Sequence, residues 1–213
     1  MSQIYSIEGN IGSGKSTLVR ILKEYFKNNN KVIFADEPVD EWMSIKDNSG
    51  EDILSKFYKD QHKYGFSFQM MAYISRIAIL RKLVKENPDS IIFTERSVYT
   101  DKKVFAQMLH DQGKIEQIDF IIYNKWFEHF LEEIDINTII YIKTEPTKCL
   151  ERIIKRNRKG EAIPLEYLKQ CHSYHENWIN EHDNVIVFDG NFDLEENISS
   201  YSHMINNILE NIN

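Results

Sequence analysis

Apolar positions along this chain alternate between an extended period and a helical one. Short apolar runs around Ile4, Tyr5 and Ile7, at Val32 to Ala35, Ser90 to Thr94, Thr138 to Ile142 and Asn184 to Phe188 predict five strands. Between the first two, Leu18, Ile21, Leu22 and Tyr25 recur at helical spacing, which predicts a helix from Ser16 to about Phe26 that ends in Asn28-Asn29-Asn30. Glu51 to Glu86 is helical with a break near Lys63-Tyr64-Gly65, and its second part sets Phe66, Met70, Tyr73, Ile77, Leu80 and Val84 on one buried stripe. A helix after the third strand places Asp101 and Phe105 one turn apart on one face, and Ile115 to Ile134 is a further amphipathic helix. Pro164 starts another, and a covering helix is expected from Asp193 onward. Strands that alternate with helices over short connections imply a parallel sheet with helices on both faces, a three-layer α/β sandwich in a single domain spanning 1–213.

Polar residues change the picture where they interrupt this pattern. Gly9 to Thr17 reads Gly-Asn-Ile-Gly-Ser-Gly-Lys-Ser-Thr and lies between the first strand and the first helix, the setting a phosphate-binding loop requires. Its glycines free the backbone amides of Gly9, Asn10, Ile11, Gly12, Ser13 and Gly14 to turn toward a polyphosphate. Lys15 adds a charge at the outer phosphates, the Ser16 hydroxyl is placed for Mg2+, and Thr17 continues into a helix whose positive end faces the anion. Glu37, before Pro38, and Glu95-Arg96-Ser97 stand just beyond strand ends, where ligands bind in open parallel sheets. Arg76 interrupts the buried stripe and needs an acidic partner if it does not reach solvent. Arg152, Lys155, Arg156, Arg158 and Lys159 form a basic run suited to a lid over phosphates. His172, His175 and His182 follow; their spacing makes a metal site only with further ligands, and partly buried or surface histidines are the commoner outcome.

Composition narrows the classes. The net charge of -7 disfavours a protein that coats a nucleic acid polymer, while a small phosphorylated ligand in a local basic pocket stays compatible. The two cysteines, Cys149 and Cys171, have neither disulfide-framework nor metal-ligand spacing. With no signal-peptide pattern and no apolar run long enough for a bilayer, the expected setting is cytoplasmic, without a membrane.

Five landmarks besides the phosphate loop occur in order: Glu-Pro-Val-Asp-Glu-Trp at 37–42, Phe-Ser-Phe-Gln at 66–69, Glu-Arg-Ser-Val-Tyr-Thr-Asp at 95–101, the arginines at 152–158, and Ile-Pro-Leu-Glu-Tyr-Leu at 163–168. Together they resemble the deoxyribonucleoside kinase family, in its deoxycytidine and deoxyguanosine kinase-like branch. The resemblance implies a P-loop NTPase-type five-stranded fold and transfer of the γ-phosphate of ATP, or another NTP, to the 5'-hydroxyl of a deoxynucleoside. It implies Glu37 as the carboxylate facing that hydroxyl, Arg96 beside the 5' oxygen, Lys15 at the donor, and Ser16 with Glu95 at Mg2+. Gln69 would read the base, Trp42 and Phe105 would wall its pocket, and Tyr58 with Glu161 would hold the sugar 3'-hydroxyl. The interval from Arg158 to Pro164 is one residue shorter than the family's pattern, which bears on Glu161. Arg152, Arg156 and Arg158 would grip the donor phosphates. Arg76 and Asp101, with the small Ala72, mark the branch that takes deoxycytidine and purine deoxynucleosides over thymidine. The stretches Thr100 to His110 and Ile115 to Ile134 would form a homodimer interface.

Two alternatives stand beside this. A nucleoside monophosphate kinase such as thymidylate kinase shares the sheet and loop, but its charged acceptor would meet Glu37 as a like charge. A non-catalytic nucleotide-binding subunit, like the relative of this family found in respiratory complex I, would have little need to keep Lys15, Glu37, Glu95 and Arg96 together.

Overall fold

Alternation along each strand decides which face of the sheet a residue covers, and this chain buries both faces. The computed structural model describes residues 2–131, 134–158, 161–192 and 204–210. The strands are β1 (Gln3–Glu8), β2 (Val32–Ala35), β3 (Ile91–Glu95), β4 (Thr138–Lys143) and β5 (Val185–Asp189), all parallel in the order β2-β3-β1-β4-β5. Tyr5 and Ile7 of β1, with Phe93, Ile140 and Ile142, pack against Leu18 and Leu22 of α1 (Lys15–Tyr25) and against Met204, Ile205 and Ile208. Ile4 and Ile92 point the other way, onto Tyr73, Ile77 and Leu80 of α4 (Gln61–Glu86) and Tyr123 and Phe127 of α7 (Gln117–Leu131). The stripe expected on α4 is therefore the layer that covers the second face. The three-layer sandwich and its five strands stand as anticipated.

Several local expectations need correction. The break between α3 (Ile53–Lys59) and α4 falls at Asp60, not at Lys63-Tyr64-Gly65. Asp60 ends α3 through its own N–H and starts α4 by accepting a hydrogen bond from the Lys63 N–H at 3.1 Å. Gly65 instead lies inside α4, where an added Cβ would come 3.4 Å from both Ile115 Cγ1 and the Lys114 carbonyl oxygen, so its signal was close packing. A short helix, α2 (Val39–Ser44), follows Pro38 and was not anticipated. Asp101 and Phe105 occupy a π-helical stretch, Asp101–Ala106, between α5 (Val98–Thr100) and α6 (Gln107–Asp111). Both residues line the cavity described below, and π-helical turns are frequent at functional sites. The basic run begins on α8 (Pro146–Arg156), and α9 (Leu165–Ile179) carries His172 and His175 but ends before His182. Of the covering helix expected from Asp193, residues 204–210 are helical, while 193–203 lie outside the described residues, as do Lys159 and Gly160 of the lid.

Candidate active site

Because the sheet is parallel, the segments leaving β1, β2 and β3 emerge along one edge and enclose a cavity of about 590 Å3. At its phosphate-loop end, Gly9 (φ 145) and Gly12 (φ 79) hold backbone shapes that side-chained residues resist. A Cβ on either would also sit 2.6 Å from a carbonyl oxygen, of Ile142 or Cys149 respectively. Ile11, Gly12, Gly14, Lys15, Ser16 and Thr17 line the cavity. Asn10 and Ser13 are buried and shape the loop from behind, with Asn10 Nδ2 donating to the Leu168 carbonyl at 2.8 Å. Lys15 Nζ donates to the carbonyls of Gly9 (3.1 Å) and Asn10 (2.8 Å). Burial, and then the neighbouring Arg96, lowers its pKa to about 7 despite the opposing pull of Glu95 and Glu37. Ser16 Oγ donates to Glu95 Oε1 at 2.6 Å. That hydroxyl and carboxylate, both facing the cavity, are hard oxygen ligands of the kind that suits Mg2+ shared with phosphates and water.

Beside the loop, with Arg96 donating to the Gly9 carbonyl at 2.8 Å, stands a cluster of side chains drawn from distant stretches. Glu37 Oε1 lies 3.2 Å from Arg96 Nε and accepts from an Arg76 terminal nitrogen at 3.1 Å. Arg76 also donates from Nε to Asp101 Oδ2 at 2.9 Å and from its other terminal nitrogen to the Glu95 carbonyl at 2.7 Å. The acidic partner required of a buried Arg76 is thus supplied twice. Burial works to raise the Glu37 carboxyl, but Arg96, Arg76 and Lys15 outweigh it and hold the group below the usual carboxylate range. Burial wins at Asp101, whose pKa is pushed up to about 6 against the attraction of Arg76. Arg76 itself is held above its ordinary value, because Asp101 and Glu37 overcome the effect of its burial.

Next to this cluster lies a mainly apolar chamber. Trp42, anchored by Nε1–H to Ser75 Oγ at 2.9 Å, meets Phe68 edge to face, and Phe105 lies under the Arg96 guanidinium at 5.0 Å. Gln69 is buried at the cavity wall, and its Oε1 has no hydrogen-bond partner among the described residues. A buried acceptor left unpaired is costly, so this atom is available to a ligand donor. Burial, followed by the nearby Glu161, raises the pKa of the Tyr58 phenol, which keeps its O–H as a donor.

The basic segment is placed less simply than anticipated. Arg152 braces the phosphate loop, donating to the Ser13 carbonyl at 3.1 Å and the Phe192 carbonyl at 2.9 Å. Arg156 makes a two-pronged pair with Glu161, at 3.0 and 2.5 Å, and Arg158 lies 3.9 Å from the same carboxylate. Glu161, anticipated beside Tyr58, therefore spends its oxygens on the lid arginines here. His175 is buried, with Nδ1 against the Cys171 carbonyl at 2.7 Å and Nε2 3.5 Å from Arg96, and its pKa is driven far down by burial first and then by Arg96. Among the described residues no cluster of three or more His, Cys, Asp or Glu groups forms a metal site.

Sequence reasoning assigned no role to the walls Val39, Leu54, Phe57, Phe68 and Tyr167, which also line the cavity. Phe68 lay inside a quoted landmark, but helical spacing does not separate a residue facing a core from one facing a ligand.

A phosphate loop at the end of the central strand, beside a cluster of paired charges and an adjoining apolar chamber, defines a P-loop NTPase-type phosphotransferase fold. Residues 5–213 match the family model described as deoxynucleoside kinase. A probable deoxycytidine kinase of Fowlpox virus (strain NVSL) is 35% identical over 215 residues, covering 96% of this chain and 86% of that protein. Deoxycytidine kinase 2 of Gallus gallus is 37% identical over 83% of this chain and 73% of its own. The mitochondrial thymidine kinase 2 of Homo sapiens is 32% identical over 83% of this chain and 64% of its own. The chain belongs to the deoxynucleoside kinase family. Its reaction is phosphoryl transfer from a nucleotide to a nucleoside. Among the described residues, no helix is long and apolar enough to cross a membrane.

Proposed function

We propose that this enzyme moves the γ-phosphate of ATP, or another NTP, to the 5'-hydroxyl of deoxycytidine or a purine deoxynucleoside in preference to thymidine. The observation that carries this reading is the buried Arg76–Asp101 pair, which lines the same cavity as the unpaired Gln69 Oε1. The pair presents donors and an acceptor to a base edge and fills space that the thymine methyl would need, with Ala72 beside it.

Phosphoryl transfer is loose, so the residues mainly position groups and neutralise charge. Glu37, ionised at neutral pH, orients the 5'-hydroxyl and takes its proton as the new P–O bond forms. Arg96 holds Glu37 and faces the oxygen at which charge builds. Lys15 and the loop amides hold the donor's outer phosphates, and Arg152, Arg156 and Arg158 close on them. Ser16 and Glu95 would hold Mg2+, which supplies charge neutralisation between the donor phosphates. Trp42 and Phe105 stack against the base, while Tyr58 and Glu161 meet the sugar. In this reading Glu161 leaves Arg156 when the sugar arrives, which also frees that arginine for the donor.

The protein is proposed to work as one domain, in the cytoplasm and as a homodimer. Supporting the dimer, α7 exposes Ile118, Ile121 and Trp126, and α4, which packs on it, exposes Ile74; the Thr100–His110 stretch is mostly buried within the chain. Sedimentation at micromolar concentration is expected to give a dimer, and a monomer would remove that part. The main test offers labelled ATP to the four deoxynucleosides, their ribo counterparts and the monophosphates. Label is expected on deoxycytidine or the purine deoxynucleosides; thymidine as best acceptor would overturn the base preference, and labelled products from the monophosphates would overturn the acceptor class.

A further inference from the structure

Glu8, the last residue of β1, is completely buried, and it pairs with no cation among the described residues. Its carboxylate accepts three hydrogen bonds instead. Oε1 takes the Ser97 backbone N–H at 2.8 Å and the Ser6 hydroxyl at 2.5 Å, and Oε2 takes the Thr100 hydroxyl at 2.5 Å. Two of these donors, Ser97 and Thr100, follow directly on the turn that leaves β3, and that turn is strained. Arg96, at its centre, has φ +64, a left-handed conformation uncommon for a residue with a long side chain.

Such a conformation persists only when its surroundings over-determine it. Here the restraints can be named. The Arg96 N–H donates to the Ile7 carbonyl at 3.0 Å, the Arg96 carbonyl accepts from Thr94 Oγ1 at 2.7 Å, and the following N–H, of Ser97, goes to Glu8. Of these three partners, Glu8 alone is an ionisable side chain, and it sits immediately before Gly9, where the phosphate loop starts. The turn it holds sends the Arg96 side chain back across that start, to donate to the Gly9 carbonyl at 2.8 Å and to reach Glu37 at 3.2 Å.

We propose that Glu8 is a positioning residue for phosphoryl transfer: by holding the left-handed Arg96 turn against the root of the phosphate loop, it fixes the arginine between donor and acceptor. It touches neither substrate and acts through Arg96, so the inference rests on the proposed role of that arginine. Misplacing a positioned group by about 1 Å can cost about a hundredfold in rate. Glu8→Asp shortens the reach to Ser97, and Glu8→Ala removes it. Both are expected to lower kcat at least tenfold while the KM values for nucleoside and ATP change less than threefold. Glu8→Gln retains an amide oxygen for the Ser97 N–H and is expected to stay within about threefold of the parent.

The deciding measurement is a single-turnover cycle with Arg96→Ala. If Glu8 acts through the arginine, Glu8→Asp in the Arg96→Ala background costs less than about threefold. Equal costs in both backgrounds, or a loss that falls on KM alone, overturn the proposal. If Arg96→Ala by itself leaves the rate unchanged, the role given to Arg96 fails first, and the two failures are told apart. Should the Glu8 variants not fold, Thr100→Val removes one anchor of the same carboxylate and is read in the same cycle, with the same outcomes deciding.

Discussion

The two ends of the cavity are built on different principles. At the donor end nine consecutive residues, Gly9 to Thr17, offer mostly backbone amides, shaped by glycines and followed by the start of α1. At the acceptor end Glu37, Arg76, and Arg96 with Asp101 arrive from three separate stretches and are bound to one another at 2.9 to 3.2 Å. A backbone site depends on local shape; a side-chain cluster depends on every member's partners. The donor end should therefore respond to substitution one position at a time, whereas the acceptor end should respond as a unit.

The largest effect tests that unit directly. Arg76 and Asp101 are both almost fully buried, and removing one member of a buried pair strands the other, at a cost of about 3–5 kcal/mol. Asp101→Ala and Arg76→Ala are each expected to lower stability by roughly this amount in urea unfolding. The double variant Arg76→Met with Asp101→Leu, apolar on both sides, should cost less than the sum of the two single changes. Additive losses would mean that Arg76 is satisfied by Glu37 and the Glu95 carbonyl alone, and the cluster would no longer be one unit.

A smaller effect separates chemistry from binding at the same end. Glu37→Gln keeps the shape and a hydrogen-bonding oxygen beside Arg96 but cannot take a proton. Turnover is expected to fall about a hundredfold, equivalent to about 2.7 kcal/mol, while deoxynucleoside affinity changes little. A loss confined to affinity would make Glu37 a binding group and no base.

This contrast also explains what was legible from residues alone. The loop from Gly9 to Thr17 was legible in its place between β1 and α1, because it is one contiguous motif with a characteristic flank. The sheet was legible too, since burial on both faces leaves strands as unbroken apolar runs such as Ile139 to Ile142, bounded to within a residue or two. At the acceptor end Arg76 announced itself as a charge in an apolar stripe, but its partners follow from tertiary contacts among three segments. The break at Asp60 was missed because Gly65 is the commoner helix breaker, and here it serves close approach to the 114–115 turn. The Arg156–Glu161 pair was missed for another reason: in a basic run, sequence shows the charge and not which acid has already neutralised it. Glu8 drew no attention, since a single acid ending a strand has no pattern, and its meaning comes from the three donors that surround it.

The smallest effect sharpens the comparison from the donor side. With no phosphate beside it, Lys15 is held by burial and by Arg96 at a pKa of about 7, far below its ordinary 10.5, so above that pH the free enzyme carries mostly a neutral amine there. Donor phosphates favour the ammonium and raise the pKa on binding. Proton uptake must therefore accompany donor binding above pH 7, and affinity must weaken as pH rises from 7 toward the pKa of the bound state. At pH 8, calorimetry in buffers of different ionisation enthalpy is expected to report uptake approaching one proton per ATP bound. Lys15→Arg, whose guanidinium stays charged, should abolish the uptake even if it also weakens binding. The acceptor end offers no matching signal: Glu37 is already ionised at this pH because Arg96 and Arg76 stand beside it, so deoxynucleoside binding at pH 8 should leave the proton count near zero. Equal uptake for both ligands would show that the protons come from the shared charge cluster, and the two ends would then have to be treated as one electrostatic site.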